Sequence, residues 1–219
     1  MKKTLLSIAA LCLIVSGTTG QTTPLEKGKL MGGISSTIAF GGAYGSELMS
    51  LGFATTSYKH DGTTEASYKT TVYNFLPKAG YFVIDNLAAG LEILISGYSE
   101  KDVDDGDTWK ESTVGIGPFV RYYYPLEKIY PFAEAKTIFG SCKETEWDGD
   151  EEKSGLFMFG IYLGAAIPIV EHVTIDFSAG YSRASYKYTY EGEGGDEDVS
   201  EIHGGFGIGF GISIYLPVK

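Results

Sequence analysis

The sequence of 219 residues carries 28 acidic against 17 basic side chains, a formal net charge of −11. That balance excludes the basic surface that nucleic acid demands, and the length suits one ordinary domain. Thirty glycines and 16 tyrosines suit strands and membrane interfaces better than helices.

The first twenty residues read as a cleaved signal peptide. Lys2 and Lys3 give a positive start, Leu5 to Val15 an apolar stretch, and Thr18, Thr19 and Gly20 a small-residue cleavage site. The apolar stretch is shorter than the roughly 20 residues a spanning helix needs. Cys12 lies inside it after Leu11, not after a small residue at its end, which argues against a lipid anchor. Removing 20 of 219 residues leaves 199, and losing both lysines moves the net charge from −11 to −13. Cys142 then stands alone, so no intrachain disulfide forms. The expected organisation is a signal peptide at 1–20, a short periplasmic segment at 21–29, and one β domain at 30–219.

No later segment is apolar for 18 residues, the minimum for a spanning helix. Period-two alternation instead predicts eight strands near 30–41, 69–83, 88–98, 113–124, 131–142, 155–167, 173–190 and 201–216. In the sixth, Phe157, Phe159, Ile161, Leu163, Ala165 and Ile167 share one face. In the seventh, Val173, Ile175, Phe177, Ala179 and Tyr181 alternate with Thr174, Asp176, Ser178 and Gly180. The last is the clearest: Phe206, Ile208, Phe210, Ile212, Ile214 and Leu216 alternate with Gly205, Gly207, Gly209, Gly211, Ser213 and Tyr215. One face is apolar and the other almost bare, which inverts a soluble barrel and matches a membrane one with lipid outside.

The connections fall into two classes that alternate along the chain. Ile84 to Leu87, Pro125 to Tyr130 and Pro168 to His172 are short; Gly42 to Tyr68, Ser99 to Ser112, Lys143 to Ser154 and Glu191 to Ser200 are long. Short periplasmic turns and long outer loops are the asymmetry of outer-membrane barrels. The fold class is therefore all-β: an eight-stranded antiparallel up-and-down transmembrane β-barrel, with long acidic outer loops and both termini on the periplasmic side. Tyr81, Phe82, Tyr122, Tyr123, Tyr124, Tyr130 and Phe132 flank the short turns, and Tyr98, Trp109, Tyr186, Tyr188 and Tyr190 the long loops. Two interfacial aromatic girdles are expected from them.

Gly80 to Leu91 (GYFVIDNLAAGL), Gly117 to Pro125 (GPFVRYYYP) and Pro131 to Glu134 (PFAE) resemble the small outer-membrane barrel domain common in Bacteroidetes. That family is similar in fold to the OmpX type and to the membrane domain of OmpA. The resemblance implies an outer-membrane location, contact with lipid and lipopolysaccharide, and insertion by the barrel assembly machinery. It brings no catalytic residues and no cofactor. Such barrels often end in an aromatic residue that the assembly machinery reads; here the ending Tyr215 to Lys219 displaces that signal inward to Tyr215.

Six charged residues fall at interior positions: Lys78, Glu92, Arg121, Glu134, Lys136 and Asp176, three of each sign. An eight-stranded barrel is only wide enough for its side chains to fill it, and buried charges there must pair. A plugging network is expected, with a narrow charged conduction path as the alternative. The outer loops are acidic, with Asp102, Asp104, Asp105 and Asp107 in one, Glu144, Glu146, Asp148, Asp150, Glu151 and Glu152 in a second, and Glu191, Glu193, Asp196, Glu197 and Asp198 in a third. The first resembles a calcium loop, but its glycine and its twelfth residue, Thr113, are misplaced. No metal site is expected, and the acidic loops are left as candidates for an external adhesion partner. A lipid-active enzyme would need His60 or His203 beside Ser57, Ser67 or Ser200; His172 lies in a periplasmic turn. No nucleophile motif surrounds these serines. The expected role is structural, adhesive or loop-displaying, with a narrow pore and a lipid-active enzyme as alternatives.

Overall fold

A computed structural model of the protein describes residues 25–40, 52–60, 63–124, 126, 128–192 and 195–217. The expected signal peptide at 1–20 lies outside these. Alternating sequence becomes nine strands: β1 Leu30–Phe40, β2 Gly52–His60, β3 Thr63–Ile84, β4 Leu87–Asp102, β5 Thr108–Tyr123, β6 Tyr130–Thr145, β7 Glu151–Val170, β8 Val173–Gly192 and β9 Gly195–Leu216. All pair antiparallel with their neighbours, and β1 pairs with both β3 and β9. Eight strands, β1 and β3 to β9, thus form a closed barrel with no free edge in the lipid zone, where an unpaired backbone group would be costly.

β2 is the ninth strand and falls inside the segment read as a long loop. It pairs only with the outer half of β3, from Gly52 with Val72 to His60 with Thr63. β1 holds the inner half of β3, from Leu30 with Tyr81 to Ser35 with Leu76. Between the two pairings Asn74, fully buried, bridges the fork. Its Oδ1 accepts from the Thr37 N–H at 2.9 Å and the Ser36 hydroxyl at 3.0 Å, and its Nδ2 donates to the Thr37 carbonyl at 2.9 Å. A side-chain amide thereby stands in for a strand bond.

The strands also run further than the apolar alternation indicated. β3 starts six residues earlier than read, at Thr63, β4 continues to Asp102 and β7 begins at Glu151. The loops left between β4 and β5 and between β6 and β7 shrink to tight turns at 103–107 and 146–150, where Gly106 and Gly149 take φ of +85° and +91°. The reason is physical. Beyond the lipid both faces of a strand are wetted, so the apolar signal vanishes while hairpin hydrogen bonding continues.

Leu91, Ile93, Val114, Ile116, Phe139, Phe157, Ile161, Leu163, Phe206 and Ile208 all point outward and are exposed. The inner face is more apolar than expected. Leu25, Met31, Phe82, Phe119, Tyr123, Phe132 and Tyr215 form a layer at the turn end, and Leu76, Leu94, Ile138, Leu156, Met158 and Tyr162 form a second nearer the hairpins. Phe82, Tyr123 and Phe132 therefore fill the lumen and do not join a girdle, whereas Tyr81, Tyr122 and Tyr124 stay exposed. Residues 25–29 strap the turn end shut. Leu25 is buried, its carbonyl accepts from the Asn86 N–H at 2.8 Å, and Gly28 and Lys29 exchange bonds with Phe82 at 2.9 Å each. Asn86 turns the β3–β4 hairpin with φ of +67°, a left-handed conformation that asparagine tolerates.

Candidate functional site

Between the two apolar layers lie the six interior charges, and they form one alternating chain. Lys136 Nζ meets Glu92 Oε1 at 2.6 Å, and Lys78 Nζ meets Glu92 Oε2 at 2.5 Å and Glu134 Oε2 at 2.9 Å. Arg121 Nε then meets Glu134 Oε2 at 2.7 Å, and Arg121 Nη1 meets Asp176 Oδ2 at 2.6 Å. Every member is buried. The strands explain the geometry: each residue shares inward parity on β3 to β6 or β8, and register sets Lys78 opposite Glu92 and Arg121 opposite Glu134.

The chain is closed by hydrogen bonds and aromatic faces. Asp176 accepts from the Thr174 and Ser213 hydroxyls, each at 2.7 Å. Arg121 donates to the Tyr123 hydroxyl at 3.1 Å and lies over Phe132 with its guanidinium carbon 4.0 Å from the ring centre. Lys136 sits over Tyr162 at 4.8 Å and Lys78 over Phe119 at 5.2 Å. Buried ions this heavily paired are tolerable where isolated ones are not. The void beside the network, against Ser35, Thr37 and Ser178, measures about 20 Å³, roughly the room for one water.

Above the second apolar layer the barrel opens into a vestibule of about 640 Å³. Trp109, Tyr186 and Tyr188 supply aromatic wall, and Glu111, Cys142, Glu144 and His203 face inward beside them. Trp109 and Tyr186 are thus not an outer girdle: they share inward parity with Thr113 and Ala184 on the same strands. Tyr98 packs edge-on against Trp109 at 4.8 Å, and the indole N–H donates to Glu144 Oε1 at 2.6 Å. The Glu144 carboxyl is raised above its ordinary value by burial, then by the charges of Glu111, Glu146 and Glu152. The Cys142 thiol donates to Glu111 Oε1 at 3.2 Å. Residue type alone sets Trp109, Tyr186 and Tyr188 in a girdle and Glu144 and Glu152 in a solvated loop, and leaves Glu111 unmarked; strand parity is the signal that brings them to one inner face.

The other candidates separate. His203 meets Glu201 at 3.1 Å and packs edge-on against Tyr186 at 5.7 Å, while alternation sets Ser200 on the opposite face of β9. Ser57 and Ser67 lie hydroxyl to hydroxyl at 3.2 Å on the exposed β2–β3 hairpin. His172 is buried at the turn end, and the side chain of His60 lies outside the described residues. Asp102, first of the calcium-like acids, accepts from the Asp104 and Asp105 N–H groups and so caps the hairpin turn.

Residues 89–218 match a family described as the outer membrane protein beta-barrel domain. No curated protein matches the sequence. Among solved structures the chain is similar to the outer membrane protein OprG from Pseudomonas aeruginosa, at 13% identity and a TM-score of 0.45, covering 88% of this chain and 98% of that one. It is similar to Neisserial surface protein A at 14% identity and a TM-score of 0.40, covering 85% and 95%. Ail, the attachment invasion locus protein of Yersinia pestis, is similar at 10% identity and a TM-score of 0.44, covering 87% and 99%.

Proposed function

The chain belongs to the outer membrane protein beta-barrel domain family, and from that premise we propose that it is a sealed, non-enzymatic scaffold that displays acidic hairpins outside the cell. The observation that carries this reading is the six-charge chain across the lumen, with about 20 Å³ left beside it. A conduction path needs continuous water, and apolar layers above and below the charges oppose it. Function then moves to the hairpin end.

Orientation follows from export. The strap at 25–29 and the end of β9 both lie at the turn end, which faces the periplasm for a chain delivered from inside behind a leader at 1–20. The hairpins, with Asp102 to Asp107 and Glu144 to Glu152, then face lipopolysaccharide and external partners.

Planar-bilayer recording of the folded protein tests the seal. A flat trace is expected, with heat-shifted gel mobility verifying insertion; steady single-channel steps would overturn it in favour of a narrow pore. A glutamate-specific protease added to intact cells should cut near 146–152 and spare the turns. Mass spectrometry should find Gln21 as the first residue.

A further inference from the structure

Outward from the seal, the vestibule is a built cavity whose lining suits one kind of guest. Its volume of about 640 Å³ falls within the roughly 300–1,000 Å³ of small-molecule sites. Among the described residues four carboxylates line it, from Glu111, Glu144, Glu152 and Glu201, against Lys153 and His203 as the basic lining groups. That balance disfavours anions. Three aromatic side chains, Trp109, Tyr186 and Tyr188, form wall between the acids. Two of these walls are held in place: Tyr98 and Glu144 fix the indole of Trp109, and Tyr186 packs on the apolar layer beneath.

A bare divalent ion fits poorly. Among the described residues no three His, Cys, Asp or Glu side chains converge closely enough to hold a metal ion. A neutral apolar guest fits no better, because it would strip water from the carboxylates and return nothing. A cation with an apolar body answers both halves of the lining, meeting the ring faces through cation–π attraction and the acids through charge. We propose that the vestibule is a binding cup for a small organic cation, an ammonium or guanidinium group on a compact apolar body. The cup gives the display reading a ligand class and rests on that reading only for its facing outside.

Like-charge crowding supports the assignment. Glu144 is raised by burial and by its acidic neighbours, against the lowering hydrogen bond from Trp109, so an arriving cation relieves an existing repulsion.

The test uses the full chain folded in detergent micelles, where sidedness is irrelevant. The sequence has two tryptophans, so Trp147→Phe leaves Trp109 as the reporter. Choline and its uncharged isostere 3,3-dimethylbutan-1-ol are the probes. Saturable change of Trp109 emission with choline is expected, and binding of the alcohol weaker by about tenfold or more. The pair Glu111→Gln and Glu144→Gln should weaken choline by about tenfold, and Tyr188→Leu by about fivefold with the acids intact, each with unchanged heat-shifted mobility. Equal binding of the alcohol, one-for-one displacement of choline by MgCl2, or no saturation overturns the cup. Failure here leaves the sealed barrel standing, whereas single-channel steps would strike the seal and leave the cup.

Discussion

The alternating order of the buried charges makes a quantitative demand on their mutants. Glu134 holds Lys78 at 2.9 Å and Arg121 at 2.7 Å. Glu134→Leu leaves Lys136, Glu92 and Lys78 with one excess positive charge, while Arg121 and Asp176 remain a closed pair. Breaking a buried ion pair by removing one partner costs about 3–5 kcal/mol, and each stranded cation here keeps one acid, so about 3 kcal/mol is expected. Lys78→Met should cost about as much by the mirror argument, leaving one excess negative charge. The double mutant leaves two closed pairs, Lys136 with Glu92 and Arg121 with Asp176. Its loss should therefore be smaller than the sum of the single losses by at least about 2 kcal/mol. Lys136→Met with Asp176→Leu is the control. It also preserves neutrality, but these residues sit at opposite ends of the chain, so its coupling should be smaller. Urea unfolding in lipid vesicles, followed by tryptophan emission, measures all seven proteins: the parent, the four single mutants and the two doubles. Additivity of Lys78 and Glu134 within about 0.5 kcal/mol would refute the reasoning. Equal coupling in the control would show that net charge alone matters and local pairing does not.

Three further outcomes follow from other parts of the barrel. Ile161→Arg, at a 59% exposed position midway along the lipid-facing part of β7, should destabilise the vesicle-inserted protein by about 2–4 kcal/mol; a soluble barrel would be nearly indifferent, and urea midpoints decide. Asn74→Leu strands the Thr37 N–H and carbonyl at the β1–β3 fork, at about 1–3 kcal/mol per buried group; faster amide exchange at Thr37 with unchanged exchange in β6 is the expected signature. Cys142 is buried with its thiol donating to Glu111 Oε1 at 3.2 Å, so iodoacetamide should label the folded chain about a hundredfold or more slower than the urea-unfolded one. Labelling within about tenfold of the unfolded rate contradicts that burial.

How much of this was legible in the residues depends on which force wrote the pattern. The lipid-facing surface was fully legible, since lipid demands an apolar side chain at every second position and β9 obeys without exception from Phe206 to Leu216. The interior charges were legible for the converse reason. A lysine or glutamate amid apolar alternation, such as Lys78 between Pro77 and Ala79, has nowhere to point but inward. The apolar lumen layers were harder. Leu94 and Ile138 sit between residues as apolar as themselves, so neither type nor contrast marks their face, and only counting from Glu92 and Lys136 does. Aromatic residues misled most. Tyr122 and Tyr123 are neighbours of one kind, yet the first is 49% exposed and the second fully buried. Polar pairing drove β2 and the hairpin extensions, and backbone hydrogen bonds leave no hydrophobic trace.

Those extensions are what give the barrel an outer chamber. Within the lipid band, inward side chains meet across a narrow lumen and fill it. Alternation does not stop where the lipid does, so Trp109, Glu111, Glu144, Tyr186 and His203 continue to face one another beyond the last apolar layer. Strands ending where the apolar signal ends, near Thr113, Cys142 and Ser154, would have surrendered these residues to mobile loops with no common inner face. Trimming the β6–β7 hairpin back to that boundary, by joining Cys142 to Ser154 through a short turn, separates the two ends of the molecule. Choline binding should vanish with Glu144 and Glu152, while the ion-pair chain from Lys136 to Asp176, which touches nothing in that hairpin, keeps the heat-shifted mobility and the flat bilayer trace unchanged.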